Sequence, residues 1–214
     1  TINHLEILIK ISKWFMVYMP VVVLFMESNG LDLRAVMLVN AVYSLSVAIF
    51  EIPSGYFSDR LGRKQSLVIG TLLISLQFVA YSFSYDFWGL VLGGFIGGIG
   101  ASFISGTDSA LLYDTLQKFQ RSNDYLKWEG RTYALGTFSE AVAAILGGWV
   151  AYRYSLRFPM YVQVGVSLIG VLAALYLVET PVQRNHERSN AAQMRYILTH
   201  LFVKNKTMRF IVVV

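Results

Sequence analysis

The sequence predicts an all-α protein of the membrane, a bundle of six transmembrane helices, and three observations carry that reading. The apolar residues fall in blocks about 20 long, the length a helix needs to cross a hydrocarbon layer of about 30 Å. Of the 214 residues 55% are hydrophobic and 14% charged, against about 25% charged in an ordinary globular domain. The cations are also one-sided. Among the 18 lysines and arginines, only Arg34, Arg153 and Arg157 fall on the side away from the N-terminus. That bias places the N-terminus in the cytoplasm. It makes the net charge of +5 a topology signal and not a nucleic-acid footprint.

Span 1 runs from about Leu8 to Ser28, with Lys10 and Lys13 at its inner end, placed to snorkel, and Trp14 at an interface. Pro20 lies mid-helix, where it frees a backbone carbonyl and favours a kink. Span 2, about Leu33 to Tyr56, carries a polar and small stripe at helical spacing: Asn40, Ser44, Ala48, Glu51, Gly55, then Asp59. Such a stripe faces protein or water, not lipid. Span 3, about Gln65 to Phe83, has no charge, and much of its surface is expected to face lipid.

Span 4, about Phe87 to Leu112, repeats a small residue every fourth position: Gly94, Gly98, Ser102, Gly106. That line permits close helix approach in lipid. A polar segment, Gln117 to Arg131, leads to span 5, about Tyr133 to Tyr152, whose Gly136, Glu140, Ala144 and Gly148 share a face. Span 6 starts at Pro159, a favoured first-turn position, and runs to Val178 before Glu179-Thr180-Pro181 stops it. Residues 1–180 are thus the expected membrane domain. Residues 181–206 form a cytoplasmic connector in which Met194, Ile197, Leu198 and Leu201 make an amphipathic helix. Residues 207–214 begin a seventh span. With no initial methionine and an apolar run at its end, the chain reads as a piece of a longer polypeptide without a cleavable signal.

Between spans 2 and 3 stands Gly55-Tyr56-Phe57-Ser58-Asp59-Arg60-Leu61-Gly62-Arg63-Lys64. Gly55 allows a helix end to pack closely, Gly62 permits a sharp reversal, and Asp59 and Arg63 fall four apart, where their charges can meet. The pattern Gly-x-x-x-Asp-Arg-x-Gly-Arg-Lys resembles motif A of the major facilitator superfamily, in the loop where that family carries it. The resemblance implies half of a twelve-span fold, built from two inverted three-helix repeats. A short echo agrees: Gly55 to Arg60 resembles Gly148-Trp-Val-Ala-Tyr-Arg153 on the opposite side of the membrane.

The resemblance also implies a latch. In the family the motif's aspartate and second arginine join an acid at the end of span 4, which Asp114 matches by position. Asp59, Arg63 and Asp114 are then either a gating network or an ordinary helix-terminal ion-pair group. Glu140, Asp108 and Glu51 are the intramembrane acids and the candidates for proton coupling. Glu140 comes first because it lies about 13 Å deeper than Arg131 at 1.5 Å per residue; a hydrogen bond to a neighbouring helix is the competing role. Tyr18, Asn40, Tyr43 and Ser102 are candidates for the substrate cavity, with packing as the alternative. One departure weakens drug efflux without removing it. Drug–proton antiporters of the family carry Gly-x-x-x-Gly-Pro-x-x-Gly-Gly in span 5, and here Ser139, Ala143 and Ala144 replace the first two glycines and the proline.

Enzyme signals are missing from the sequence. There are no cysteines, the histidines His4, His186 and His200 are scattered without ligand spacing, and no phosphate-cradling loop points to ATP. No metal or cofactor is expected. The expected partners are a small-molecule substrate, protons or another coupling ion, the lipid bilayer of a bacterial inner membrane, and a C-terminal six-span half. Secondary active transport of a small solute by alternating access, coupled to protons and including drug or metabolite efflux, is the expected function. A sugar or metabolite permease and a non-transporting sensor on the same fold are the alternatives.

Overall fold

A computed structural model describes residues 4–177. The connector, its amphipathic helix and the start of a seventh span lie outside the described residues. Six helical segments are long and apolar enough to cross a membrane, and no strand occurs among the described residues.

The first span is interrupted, where a kink was expected. Helix α1 (His4–Trp14) ends a full turn before Pro20, residues 15–18 are not helical, and a 3-10 turn, Met19–Val21, leads into α2 (Val22–Ser28). Pro20 has no N–H, and its ring excludes a helical bond to the carbonyl four residues back. Two of the groups released by the break find partners. The Met16 carbonyl accepts from the Met19 N–H at 3.2 Å, and the Val17 N–H donates to Oε1 of buried Gln163 at 2.9 Å. An interruption inside a membrane span is tolerated only where protein meets such groups.

Helix α3 (Leu33–Leu61) is capped by Asp32, whose carboxylate accepts from the Ala35 N–H at 2.9 Å. It continues through Pro53 and most of the expected loop, so the reversal into α4 (Arg63–Phe83) is made by Gly62 alone. At φ 111° that position suits glycine, because a Cβ would be strained there. Helices α5 (Phe87–Lys118) and α6 (Tyr125–Arg153) likewise absorb most of the polar segment expected between spans 4 and 5, leaving residues 119–124 between them. Thirty-two residues of α5 extend about 48 Å at 1.5 Å each, well beyond a hydrocarbon layer of about 30 Å. Helix α7 (Phe158–Tyr176) starts on Pro159 as expected.

The packing centres on α5, with α3 on one side and α4 on the other. A Cβ on Gly98 would sit 2.5 Å from the Tyr43 carbonyl of α3, and one on Gly100 would sit 2.9 Å from the Gly70 carbonyl of α4. The small residues of α5 thus serve two neighbours, where the sequence suggested a single line.

Helix α4 departs most from expectation. About half of it is buried, the largest share of any span, while Leu72, Leu76 and Phe83 remain exposed. Ser66, Thr71, Ser75, Gln77 and Ser82 are all buried on two faces, Ser66 and Gln77 toward α5 and Thr71, Ser75 and Ser82 on the opposite side, where Ser75 meets Ser167 of α7 at 3.0 Å.

The pairings repeat. α3 packs on α5 and the first span on α6; α4 packs on α5 and the first span on α7; α4 packs on α7. Exchanging spans 1, 2 and 3 for 4, 5 and 6 maps the first two contacts onto each other, the next two onto each other, and α4 on α7 onto itself, the relation two inverted three-helix repeats produce. One apolar cluster (Phe25, Met26, Val36, Val39, Leu90, Met160) fills one end of the bundle, and a second (Ile9, Leu67, Ile104, Leu111, Ala174) fills the Gly62 end.

Candidate functional site

Gly62 places Arg63 at the first residue of α4, where its guanidinium reaches back to α3 and across to α5. Nη1 lies 3.0 Å from Oδ1 of Asp59, and Nε lies 3.5 Å from Oδ2 of Asp114. Nη1 also donates to the Ser58 hydroxyl at 3.2 Å, and that hydroxyl accepts from Thr107 of α5 at 3.1 Å. The two carboxylates differ in setting. Asp59 is 70% exposed and Asp114 only 12%. Oδ2 of Asp114 is buried without a hydrogen bond, so that oxygen is held by charge alone. Arg60 lies over the Tyr56 ring at 5.3 Å, and Lys64 is half-buried.

Gly55 is exposed, and a Cβ there would meet nothing within 4 Å; the close packing expected of it does not occur within this chain. The whole stripe of Asn40, Ser44, Ala48, Glu51, Gly55 and Asp59 is exposed along α3. Asn40 turns its amide back to the Val36 carbonyl at 3.1 Å.

A cavity of about 410 Å³ opens among the first span, α3, α4, α5 and α7. Tyr18 and Tyr43 line it together with Ser12, Lys13, Ser44, Thr71, Gln77, Ser105, Gln163 and Ser167. Asn40 and Ser102 do not. The Ser102 hydroxyl donates to the Ile99 carbonyl at 2.7 Å, and its own carbonyl accepts from Ser54 of α3 at 2.9 Å, which makes it a helix-packing residue.

A second polar cluster lies where α1, α5 and α6 meet, and sequence reasoning missed its centre, Glu129. Lys10 pairs with Glu129 at 2.7 Å and reaches Thr132 at 3.4 Å; Lys13 pairs with Asp108 at 3.0 Å. The Ser109 hydroxyl donates to Glu129 at 2.8 Å. Lys10 does not snorkel, being 8% exposed. The cause is the length of α6: because it starts at Tyr125, Glu129 belongs to the helix and not to a loop. The signal was present as two polar pairs at one-turn spacing, the cations Lys10 and Lys13 on one helix and the acid Glu129 with Thr132 on another.

Glu140 is half-buried, on a face of α6 turned toward the break in span 1. That face is Gly136, Glu140, Ala143 and Gly147, one residue removed from the expected Ala144 and Gly148. A Cβ on Gly136 would meet the Trp14 ring at 2.8 Å, and one on Gly147 would come within 1.9 Å of the Val17 carbonyl. Tyr18 lies within electrostatic range of Glu140. The three acids are therefore not assembled: Asp108 is paired with Lys13, Glu140 adjoins the broken span, and Glu51 lies on the open face of α3. Among the described residues no group of three histidine, cysteine or acidic side chains is placed to hold a metal.

Comparison with known proteins agrees with this architecture. Residues 12–214 match the Major Facilitator Superfamily. The inner membrane transport protein YajR of Escherichia coli is 30% identical over 137 residues, which are 64% of this chain and 29% of that protein. The quinolone resistance protein NorA of Staphylococcus aureus is 24% identical over 162 residues, 76% of this chain and 40% of NorA. In fold the chain is similar to a peptide transporter, POT, solved as a mutant in complex with sulfate. The TM-score is 0.63 at 16% identity, over 92% of this chain and 41% of that one. The chain thus spans less than half the length of each of these proteins. With six membrane-length helices, it is an integral membrane protein and belongs to the major facilitator superfamily.

Proposed function

We propose that this chain is the N-terminal half of a secondary active transporter, which moves a small solute across a bacterial inner membrane by alternating access and couples that movement to protons. In this reading the N-terminus and the Gly62 turn are cytoplasmic, and a C-terminal six-span half covers the exposed polar stripe of α3. The observation that carries it is Arg63 at a one-residue turn, between exposed Asp59 and buried Asp114. Alternating access needs contacts that hold one state and release in another. Pairing Arg63 with a carboxylate oxygen that has no hydrogen bond favours one state, because parting them leaves a shielded charge without its partner. Asp59, Arg63 and Asp114 act as the latch, supported by Gly55, Arg60, Gly62 and Lys64. Glu140 carries the proton, with Asp108 and Glu51 as the other acids in reach of that role. Tyr18 and Tyr43 belong to the solute cavity. A sugar or metabolite permease is the second reading, favoured by hydroxyls and amides set in a largely apolar cavity wall that has no carboxylate among the described residues.

The test uses the full-length protein in liposomes containing a pH-sensitive dye, with Glu140→Gln alongside. Sugars, amino acids, organic anions and lipophilic cations are added in turn. Solute-dependent proton flux that disappears in the variant supports coupled transport with Glu140 as carrier. Flux retained in the variant moves the coupling to another acid. Labelled solute that equilibrates without proton flux means a permease, and silence in both measurements favours the sensor.

A further inference from the structure

The 410 Å³ cavity has one charged lining residue among those described, Lys13. The same side chain borders the neighbouring cavity of about 120 Å³, where it pairs with Asp108. The partners of this ion pair are unequal. Asp108 is 9% exposed, and its Oδ1 is tied to the Ser109 N–H at 2.8 Å, whereas the Lys13 side chain is 34% exposed. An ammonium has three donors, and Asp108 engages one. Lys10, one turn earlier on α1, behaves differently: it is bonded to Glu129 and Thr132 and does not border the large cavity. Helix α1 thus presents one lysine closed off within the bundle and one turned to the cavity.

The surroundings of Lys13 suit a negative group. No carboxylate lies on the described wall, so a cationic solute finds no counter-charge there, while Ser105 of α5 borders both cavities together with Lys13. In a walled site of reduced dielectric, an ion pair or charged hydrogen bond is stronger than in water. A volume of about 410 Å³ falls in the range for small-molecule sites, about 300–1,000 Å³. We propose that Lys13 is the anchor for the acid group of a small organic anion, the solute this transporter moves. The inference rests on the transport reading above and narrows it to one chemical class.

Liposomes carrying the full-length protein are exposed to a defined mixture of neutral sugars, zwitterionic amino acids, carboxylic acids, sugar phosphates and quaternary amines, and mass spectrometry identifies what enters. Uptake confined to acids and phosphates is expected. For those compounds Lys13→Gln should raise KM about ten- to a hundredfold, the loss of one charge-assisted hydrogen bond, while Lys13→Arg restores most of the affinity. Because Lys13→Gln leaves Asp108 unpaired, Lys13→Gln with Asp108→Asn is measured as well, and the same loss is expected. Entry of neutral or cationic compounds, or an unchanged KM in the double variant, overturns the proposal. If nothing enters, transport itself fails, and the anchor is judged separately by thermal stabilisation with benzoate against benzamide. A benzoate-specific shift lost in the double variant supports the anchor; equal shifts overturn it.

Discussion

Replacing Gly147 by alanine tests the account of the broken first span. A Cβ there would come 1.9 Å from the Val17 carbonyl oxygen, with the Pro20 ring at 3.3 Å behind it. Ordinary contact begins near 3.4 Å, so about 1.5 Å must be gained by backbone movement, since the obstructing atom is not a flexible side-chain tip. Such overpacking costs about 1–3 kcal/mol. Displacing Val17 also strains the bond from its N–H to Gln163, worth about 1 kcal/mol. Gly148 provides the control: a Cβ there meets nothing within 4 Å. Both substitutions gain the same preference of alanine over glycine in a helix, about 0.5–1 kcal/mol, so their difference isolates the clash. Thermal unfolding of the full-length protein in detergent should place Gly147→Ala roughly 5–10 °C below Gly148→Ala, at a few degrees per kcal/mol. Two midpoints within 2 °C of each other would refute the close approach of α6 to the interruption.

A second glycine pair gives another contrast by the same unfolding measurement. At Gly97 the obstructing atoms are the far end of the Gln77 side chain, which can turn aside, and at Gly98 the nearest atom is the Tyr43 carbonyl oxygen; Gly98→Ala should lower the midpoint more. Glu129→Gln removes the partner of a lysine that is 8% exposed, so a loss of about 1–3 kcal/mol is expected, and Lys10→Met with Glu129→Met should recover part of it because no buried charge is left unpaired. Asp59→Asn should reduce solute transport while surface expression, read by labelling intact cells, stays at the wild-type level. Asp114→Asn should do the same with some loss of stability, since Asp114 is the buried partner of Arg63.

Much of this protein was legible in the chain because a membrane restricts what a sequence can do. An unsatisfied backbone group costs too much in hydrocarbon, so blocks of about 20 apolar residues become helices, and six spans with their ends near Ser28, Leu33, Phe83, Phe87 and Pro159 follow from counting. Gly62 was legible as a turn because so few residues adopt its backbone angles. The charge group was legible in part: Asp59 and Arg63 are four apart on adjoining helix ends, and their distances to each other follow from local geometry, whereas the approach of Asp114 depends on how α5 lies against α4.

What the tertiary structure decided were the side chains' partners. Glu129 stood in a stretch that read as a polar connector, and only the lengthening of α6 set it against Lys10. Hydroxyl groups on α4 gave no charge signal, yet the packing of α4 between α5 and α7 buries them. Ser102 and Tyr43 looked equivalent as cavity candidates; helix rotation put one against Ser54 and the other on the cavity wall. Local sequence fixes where a helix runs, because its backbone bonds are all internal. Which face it turns inward is a choice among neighbours distant in the chain, and here that choice separates a lysine that closes the bundle from a lysine that opens on the cavity.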